Sequence, residues 1–322
     1  MTTPWSRVIG ALVGCAVGGL FLAAAFHGTP PVAVWQALQA GHWGWPALAV
    51  LTGTAVFVLA KTARWRLLLG SGPAVRGGWL AEPVLAGLAL NALVPHSGEF
   101  VRAVSLQRRA GLPASGVLSS IVAERVFDLF GVLIVGSAAL IEVPVIPRLD
   151  AAVRVLGLVA AVLAALIVVA LVLPDAVEAV ARRLTVAFPE RVREWLLRQV
   201  SDALRGLEPV RSPRTSAAVL AWSLIQWLAV AFAVWGCARV VGFEAGAAAA
   251  SLVVVGIVVA FLLPNAPGYA GSVQIAFLVT LEPLGVPEDQ ALAASFVYQL
   301  LMILPLVVAG LVCLRPSLAR RE

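Results

Sequence analysis

Apolar residues run almost unbroken along this chain, in blocks separated by short clusters of arginine, proline and glycine. Apolar spans are read at about 8–26, 46–61, 117–141, 151–173, 215–237 and 291–313. Most approach the ~20 residues that an α-helix needs to cross a bilayer. Two further regions, about 79–110 and 246–283, are each split by an interruption. The first reads Leu93-Val94-Pro95-His96-Ser97-Gly98-Glu99, the second Leu262-Leu263-Pro264-Asn265-Ala266-Pro267-Gly268-Tyr269-Ala270-Gly271. Each is followed by a Gly-x-Pro (Gly111-Leu112-Pro113 and Gly285-Val286-Pro287), which opens a long apolar helix.

Residues 84–94 place only eleven residues before Pro95. At 1.5 Å per residue that is roughly 16 Å, half a bilayer, so a re-entrant hairpin is expected there. The second region has longer arms and reads either as a hairpin or as two short spans. A broken helix frees backbone N–H and C=O groups at membrane depth, which is tolerated only against protein or a wet cavity. Matching breaks in two halves point to a transporter's binding site.

Of the 322 residues, 61% are hydrophobic and 12% charged. Soluble domains carry about a quarter charged residues, and no polar stretch here is long enough to hold one. The chain is therefore read as one membrane domain over 1–322, all-α, a polytopic transmembrane bundle with two re-entrant or broken helical hairpins in an inverted repeat. The repeat halves are about 46–141 and 215–313. Residues 8–26 are read as a first span rather than a removed leader.

Basic residues set the orientation. With the N-terminus inside, nineteen Lys and Arg residues fall on the cytoplasmic side, Lys61, Arg64 and Arg102 among them; Arg148, Arg154 and Arg239 fall outside, and Arg125 lies in the membrane. The bias appears only if 79–110 enters and leaves on one side. It implies a cell (inner or plasma) membrane protein with both termini cytoplasmic. The net charge of +6 is explained by span ends and anionic headgroups rather than nucleic acid.

Residues 174–214 form the one long polar stretch. Val192, Trp195, Leu196, Val200, Ala203, Leu204 and Leu207 recur at helical spacing between arginines, predicting an amphipathic connector on the inner leaflet. Trp43, Trp45, Trp65 and Trp79 fit an interfacial aromatic belt.

Within the apolar run from Val117 to Ile141 stand Glu124, Arg125 and Asp128 on one helix face. Each charge near the bilayer centre costs about 2.5–3.5 kcal/mol on the insertion scale, so three of them need partners or water. Glu99, with Arg102 one turn on, is the expected companion. Two readings stand. One is an ion-pair network locking the hairpin to this helix. The other is a polar site where Arg125 grips an anionic headgroup with its planar fork, and a carboxylate contacts a cationic group or changes protonation. Counting from each Gly-x-Pro, Tyr298 and Gln299 align with Glu124 and Arg125. Asn265, Tyr269, Ser272 and Gln274 supply neutral polar groups at the second break, so one wall is charged and one neutral.

Enzyme signatures are absent from the sequence: His27, His42 and His96 lack metal-ligand spacing, and no Walker lysine or dinucleotide fingerprint occurs. The three cysteines sit singly in apolar runs. No cofactor or metal is expected, and the chain is not read as an enzyme.

The ordered set Asn91-x-x-x-Pro95-x-x-Gly98-Glu99-x-x-Arg102, then Glu124-Arg125-x-x-Asp128, then Pro264-x-x-Pro267-Gly268-x-x-Gly271 resembles the lysylphosphatidylglycerol synthase transmembrane (flippase-domain) family over nearly the whole chain. The resemblance implies a lipid translocase, with Asn91, Pro95, Gly98, Glu99, Arg102, Glu124, Arg125, Asp128, Asn265, Gly268, Tyr269, Gly271, Gln274, Tyr298 and Gln299 around the substrate. Some members join this region to a soluble aminoacyl-transfer domain. This chain stops at Glu322, soon after its last span, so lysyl-phosphatidylglycerol synthesis is not expected. Many relatives carry an arginine near Gln299 and a glutamate near Gln274, so the resemblance leaves the charge preference for substrate open. The expected partners are membrane lipids, with a separate lipid-modifying enzyme or a homo-oligomer also considered. The alternatives are an intramembrane enzyme using Glu99, Glu124 and Asp128, a scaffold subunit, or a small polar-solute transporter.

Overall fold

The computed structural model describes residues 16, 19–70, 80–94, 97–143, 147–262 and 266–319, and these are mostly helical with no strand among them. Of the expected first span, residues 16 and 19–26 lie among them, and 19–25 are helical. A short α1 (Pro31–Gln39) leads to the long α2 (Gly44–Leu68). A helical pair follows, α3 (Ala81–Leu93) and α4 (Ser97–Ala110), then the long α5 (Ala114–Glu142) and α6 (Pro147–Val172). The connector is α7 (Pro174–Leu184) and α8 (Glu190–Gly206). The order then repeats: long α9 (Pro213–Val241), paired α10 (Ala247–Phe261) and α11 (Ser272–Leu281), and α12 (Glu288–Tyr298), which continues through a π turn (Gln299–Ile303) into α13 (Leu304–Ala319).

Among the described residues, four segments are long and apolar enough to cross a membrane: Gly44–Leu68, Arg154–Val172, Pro213–Val241 and Glu288–Leu314. At 29 residues α5 has ample length too; what lowers its apolarity is the trio Glu124, Arg125 and Asp128. The span expected at 46–61 runs on to Leu68, because Lys61 and Arg64 are buried within the bundle instead of ending the helix at the membrane surface.

Both interrupted regions are antiparallel hairpins. In the first, a Cβ on Gly87 would meet Arg102 Cγ at 2.9 Å, and one on Gly98 would overlap the Gly87 carbonyl. In the second, a Cβ on Gly256 would meet Thr280 Oγ1 at 2.8 Å. Small residues let the arms approach closely, as in membrane helix pairs generally. The Gly-x-Pro works alike in both halves. Gly111 and Gly285 take positive φ (66° and 81°) to leave one element, and Pro113 and Pro287 sit at the N-caps of α5 and α12.

The corresponding helices α2 and α9 are antiparallel: Pro46 and Val50 face Gly236, Gly53 faces Ala229 and Ala233, and Arg64 reaches Ser223. The two halves therefore run in opposite senses. Their packing is also exchanged. α3 of the first hairpin lies on α13, and α10 of the second lies on α5. Gly310 makes the first contact, against Leu85 and Ala89; Gly136 makes the second, against Val255. These two glycines stand at the same interval beyond Pro287 and Pro113.

Two apolar cores result. Trp65, Leu68, Val84, Leu106, Val117 and Ile121 belong to one; Val132, Val230, Leu252, Phe277 and Leu292 belong to the other. On α2, α5 and α9 the polar residues Lys61, Arg64, Asp128, Ser223 and Gln226 fall between the stretches serving each core.

The connector departs from a single surface helix. It is two helices, and the end of α8 packs onto α5, where Gly206 sits on Gly116 and Leu207 is buried. Val192 and Trp195, near its start, are exposed. Trp43 and Trp45 are exposed as an interfacial belt requires, but Trp65 is wholly buried, donating Nε1–H to Ser120 Oγ (3.3 Å). Trp79 lies outside the described residues.

Candidate functional site

α2 turns Lys61 and Arg64 inward, one helical turn apart, onto the carboxylates of α5. Glu124 is completely buried and holds three cations: Lys61 Nζ, Arg64 Nη2 at 3.1 Å and Arg102 Nη2 at 2.6 Å. Arg64 Nη1 also donates to Asp128 Oδ1 (2.6 Å) and Ser223 Oγ (2.8 Å). Gln226 on α9 donates Nε2–H to the same Asp128 oxygen at 2.9 Å. Arg102 lies over the Trp65 ring, 3.9 Å from its centroid, a cation–π contact in a desolvated place. This shell ties α2, α4, α5 and α9 together. Removing one member would leave a buried charge unpaired, a loss of about 3–5 kcal/mol in measured cases.

In front of the shell lies Arg125, on the same helix but pointing differently. It donates Nη2–H to Glu99 Oε1, and its Nη1 stands 3.7 Å from Asp128 Oδ2. Asn91 Nδ2 also donates to Glu99 Oε1 (3.3 Å), while Asn91 Oδ1 accepts the Gly98 N–H (2.7 Å). Asn91 thus closes the first hairpin from inside. The Arg125 side chain is 45% exposed, against 0–9% for Lys61, Arg64, Arg102, Glu124 and Asp128.

The second hairpin builds a neutral counterpart. Gly268, Tyr269 and Gly271 take positive φ (70°, 58° and 84°), which turns the chain sharply after α10. Gln274 accepts the Gly271 N–H (2.8 Å) and donates Nε2–H to Gln299 Oε1 (2.8 Å); Gln299 Nε2 donates to the Gly268 carbonyl (3.0 Å). Gln299 begins the π turn. Such turns recur at functional positions. Tyr269 stacks on Phe261 with centroids 4.0 Å apart.

Between the two hairpins opens a cavity with about 940 Å³ of empty space, its mouth included. Lys61, Asn91, Arg102, Arg125 and Asp128 line one side, with Tyr269 and Tyr298 across from them. The rest of the wall is largely apolar, including Phe57, Leu88, Trp227 and Ile257.

The sequence-predicted residues fall into groups. Asn91, Arg102, Arg125, Asp128, Tyr269 and Tyr298 line the cavity, and Glu99 is bonded to its wall. Glu124 stands behind the wall in the buried shell. Gly98, Gly268, Gly271, Gln274 and Gln299 shape the hairpins. Pro95 and Asn265 lie outside the described residues. Lys61, Arg64 and Arg102, expected at the cytoplasmic surface, are buried in the shell, which removes them from the charge tally without reversing its sign. Ser223 and Gln226 went unread in their apolar span, although two polar residues one turn apart on an apolar helix are the signal of an inward face.

No curated protein and no solved structure matches the chain. The family model for the lysylphosphatidylglycerol synthase TM region matches residues 11–310, which include both hairpins, the buried shell and the cavity wall. The chain belongs to this family of membrane proteins.

Proposed function

We propose that the protein is a lipid translocase, moving or presenting an amphiphilic lipid (a phospholipid, glycolipid or isoprenoid lipid) between leaflets of the cell membrane, with both termini in the cytoplasm. The observation that carries this reading is the cavity between the hairpins, where an exposed guanidinium shares a wall with an extensive apolar surface. A headgroup seated against Arg125 would exchange water for fixed polar partners. Its tail would remain against apolar surface, so the headgroup is the main barrier to movement. Backbone turns at the hairpin tips are of the kind that lines cavities in transporters.

Acid–base chemistry on a lipid is less well supported. Glu99, Glu124 and Asp128 are each bonded to a guanidinium, and Glu124 has no exposed surface. The test is flipping in reconstituted vesicles. Fluorescent lipids of several headgroup classes should become accessible to an impermeant quencher faster with protein than without. Equal rates for every lipid would refute translocation.

A further inference from the structure

The charges around the cavity do not balance. Among the described residues the connected network holds four cations, Lys61, Arg64, Arg102 and Arg125, and three carboxylates, Glu99, Glu124 and Asp128. Each of the three carboxylates already accepts from at least one guanidinium, and the Glu99 oxygen that does not, Oε2, is buried. Glu124 is shared by three cations, Asp128 by two arginines, and Glu99 accepts from both Arg125 and Asn91. On the cavity wall itself the imbalance is larger: Lys61, Arg102 and Arg125 line it, with Asp128 as the only carboxylate among the lining residues. The opposite wall supplies no charge to correct this, because Gln274 and Gln299 stand where the first half has Glu99 and Arg125. A surplus cation in a low-dielectric layer attracts an anion strongly and repels a second cation as strongly.

Resting on the translocase reading, we infer that this cavity selects a lipid headgroup carrying phosphate and no positively charged group. Arg125 presents the fork. Of the four cations it is the exposed one, and its Nη1 has only a distant contact to Asp128. A guanidinium matches two phosphate oxygens in a bidentate pair. An ammonium on the same headgroup would face three cations on the wall, where the one lining carboxylate, Asp128, is already shared by two arginines. The apolar remainder of the wall, formed by residues such as Phe57, Leu88 and Ile257, suits a lipid's glycerol and upper chain rather than free phosphate.

The test uses the full-length wild-type chain in vesicles with trace tail-labelled phosphatidylglycerol (anionic), phosphatidylcholine (zwitterionic) or lysyl-phosphatidylglycerol (cationic). Phosphatidylglycerol should flip about tenfold faster than phosphatidylcholine or more, with lysyl-phosphatidylglycerol slowest. Arg125→Gln should bring phosphatidylglycerol down to the phosphatidylcholine rate. Equal movement of all three by the wild type would overturn the charge inference and leave translocation standing, as would fastest movement of the cationic lipid. Movement of none would remove both. Inorganic phosphate supplies a separate arm. If it raises the protein's melting temperature as much as phosphatidylglycerol does, the site is one for soluble phosphate and the inference fails.

Discussion

Glu99 and Gln274 occupy the same place in the two inverted halves. Each is the third residue of its hairpin's second helix, and each pairs with the residue standing at the same interval beyond its Gly-x-Pro, Arg125 in one half and Gln299 in the other. One fold position is thus filled once by an ion pair and once by two amides. The geometry of the latch is common to both hairpins, and its charge is what distinguishes the walls.

The first latch should therefore behave as a pair. Arg125→Gln alone strands the Glu99 carboxylate, whereas Glu99→Gln with Arg125→Gln recreates the amide pair of the second half. A double-mutant cycle read by thermal unfolding in detergent should give a coupling of about 1–3 kcal/mol, with the double variant more stable than Arg125→Gln. Additive losses would show that the two residues do not act together.

Glu124 should be the most sensitive carboxylate for folding. Its neutralisation by Glu124→Gln frees Lys61, Arg64 and Arg102 to repel one another in a buried place. The expected cost is about 3–5 kcal/mol, seen as a large fall in melting temperature or loss of folded protein. Unchanged stability would mean that the shell is wet and its charges individually solvated.

Gly136 and Gly310 should fail alike. A leucine at either position intrudes on the opposite half's hairpin, on Val255 in one case and on the Leu85 carbonyl in the other. Overpacking typically costs about 1–3 kcal/mol, and backbone contact at Gly310 makes that site the worse of the two. Melting-temperature losses at both, larger at Gly310 and with neighbouring lipid-facing positions tolerant, would support the exchanged packing; tolerance of leucine at both would oppose it.

The arginine bias predicts that the connector faces the cytoplasm. In a cysteine-free background, Arg198→Cys in the connector should react with an impermeant maleimide only after the membrane is opened. Arg148→Cys should react in intact cells. The reverse pattern would invert the topology.

Much of this arrangement was legible in the chain. The short arm before Pro95 sufficed to expect a hairpin, and counting from Gly-x-Pro aligned Gln299 with Arg125 before any contact was known. The pairing of Arg125 with Glu99 followed from the cost of leaving either alone in hydrocarbon. The second half of the shell was not legible. Lys61 and Arg64 sit near the end of an apolar run, where a cation ordinarily marks the membrane surface. Only the folded positions of Glu124 and Asp128, some sixty residues away, reveal that α2 carries them inward. Trp65 misled for the same reason: its indole lies under Arg102, not at an interface. The connector's apolar stripe was visible, but nothing local showed that Gly206 and Gly116 permit close packing of its far end.

The most direct test is a density map of the protein in phosphatidylglycerol-containing nanodiscs. Headgroup density within hydrogen-bonding reach of Arg125, with acyl density along the apolar wall toward Phe57 and Ile257, is the expected result. A cavity that stays closed to lipid, with headgroups found only at the outer ends of the helices, would contradict it.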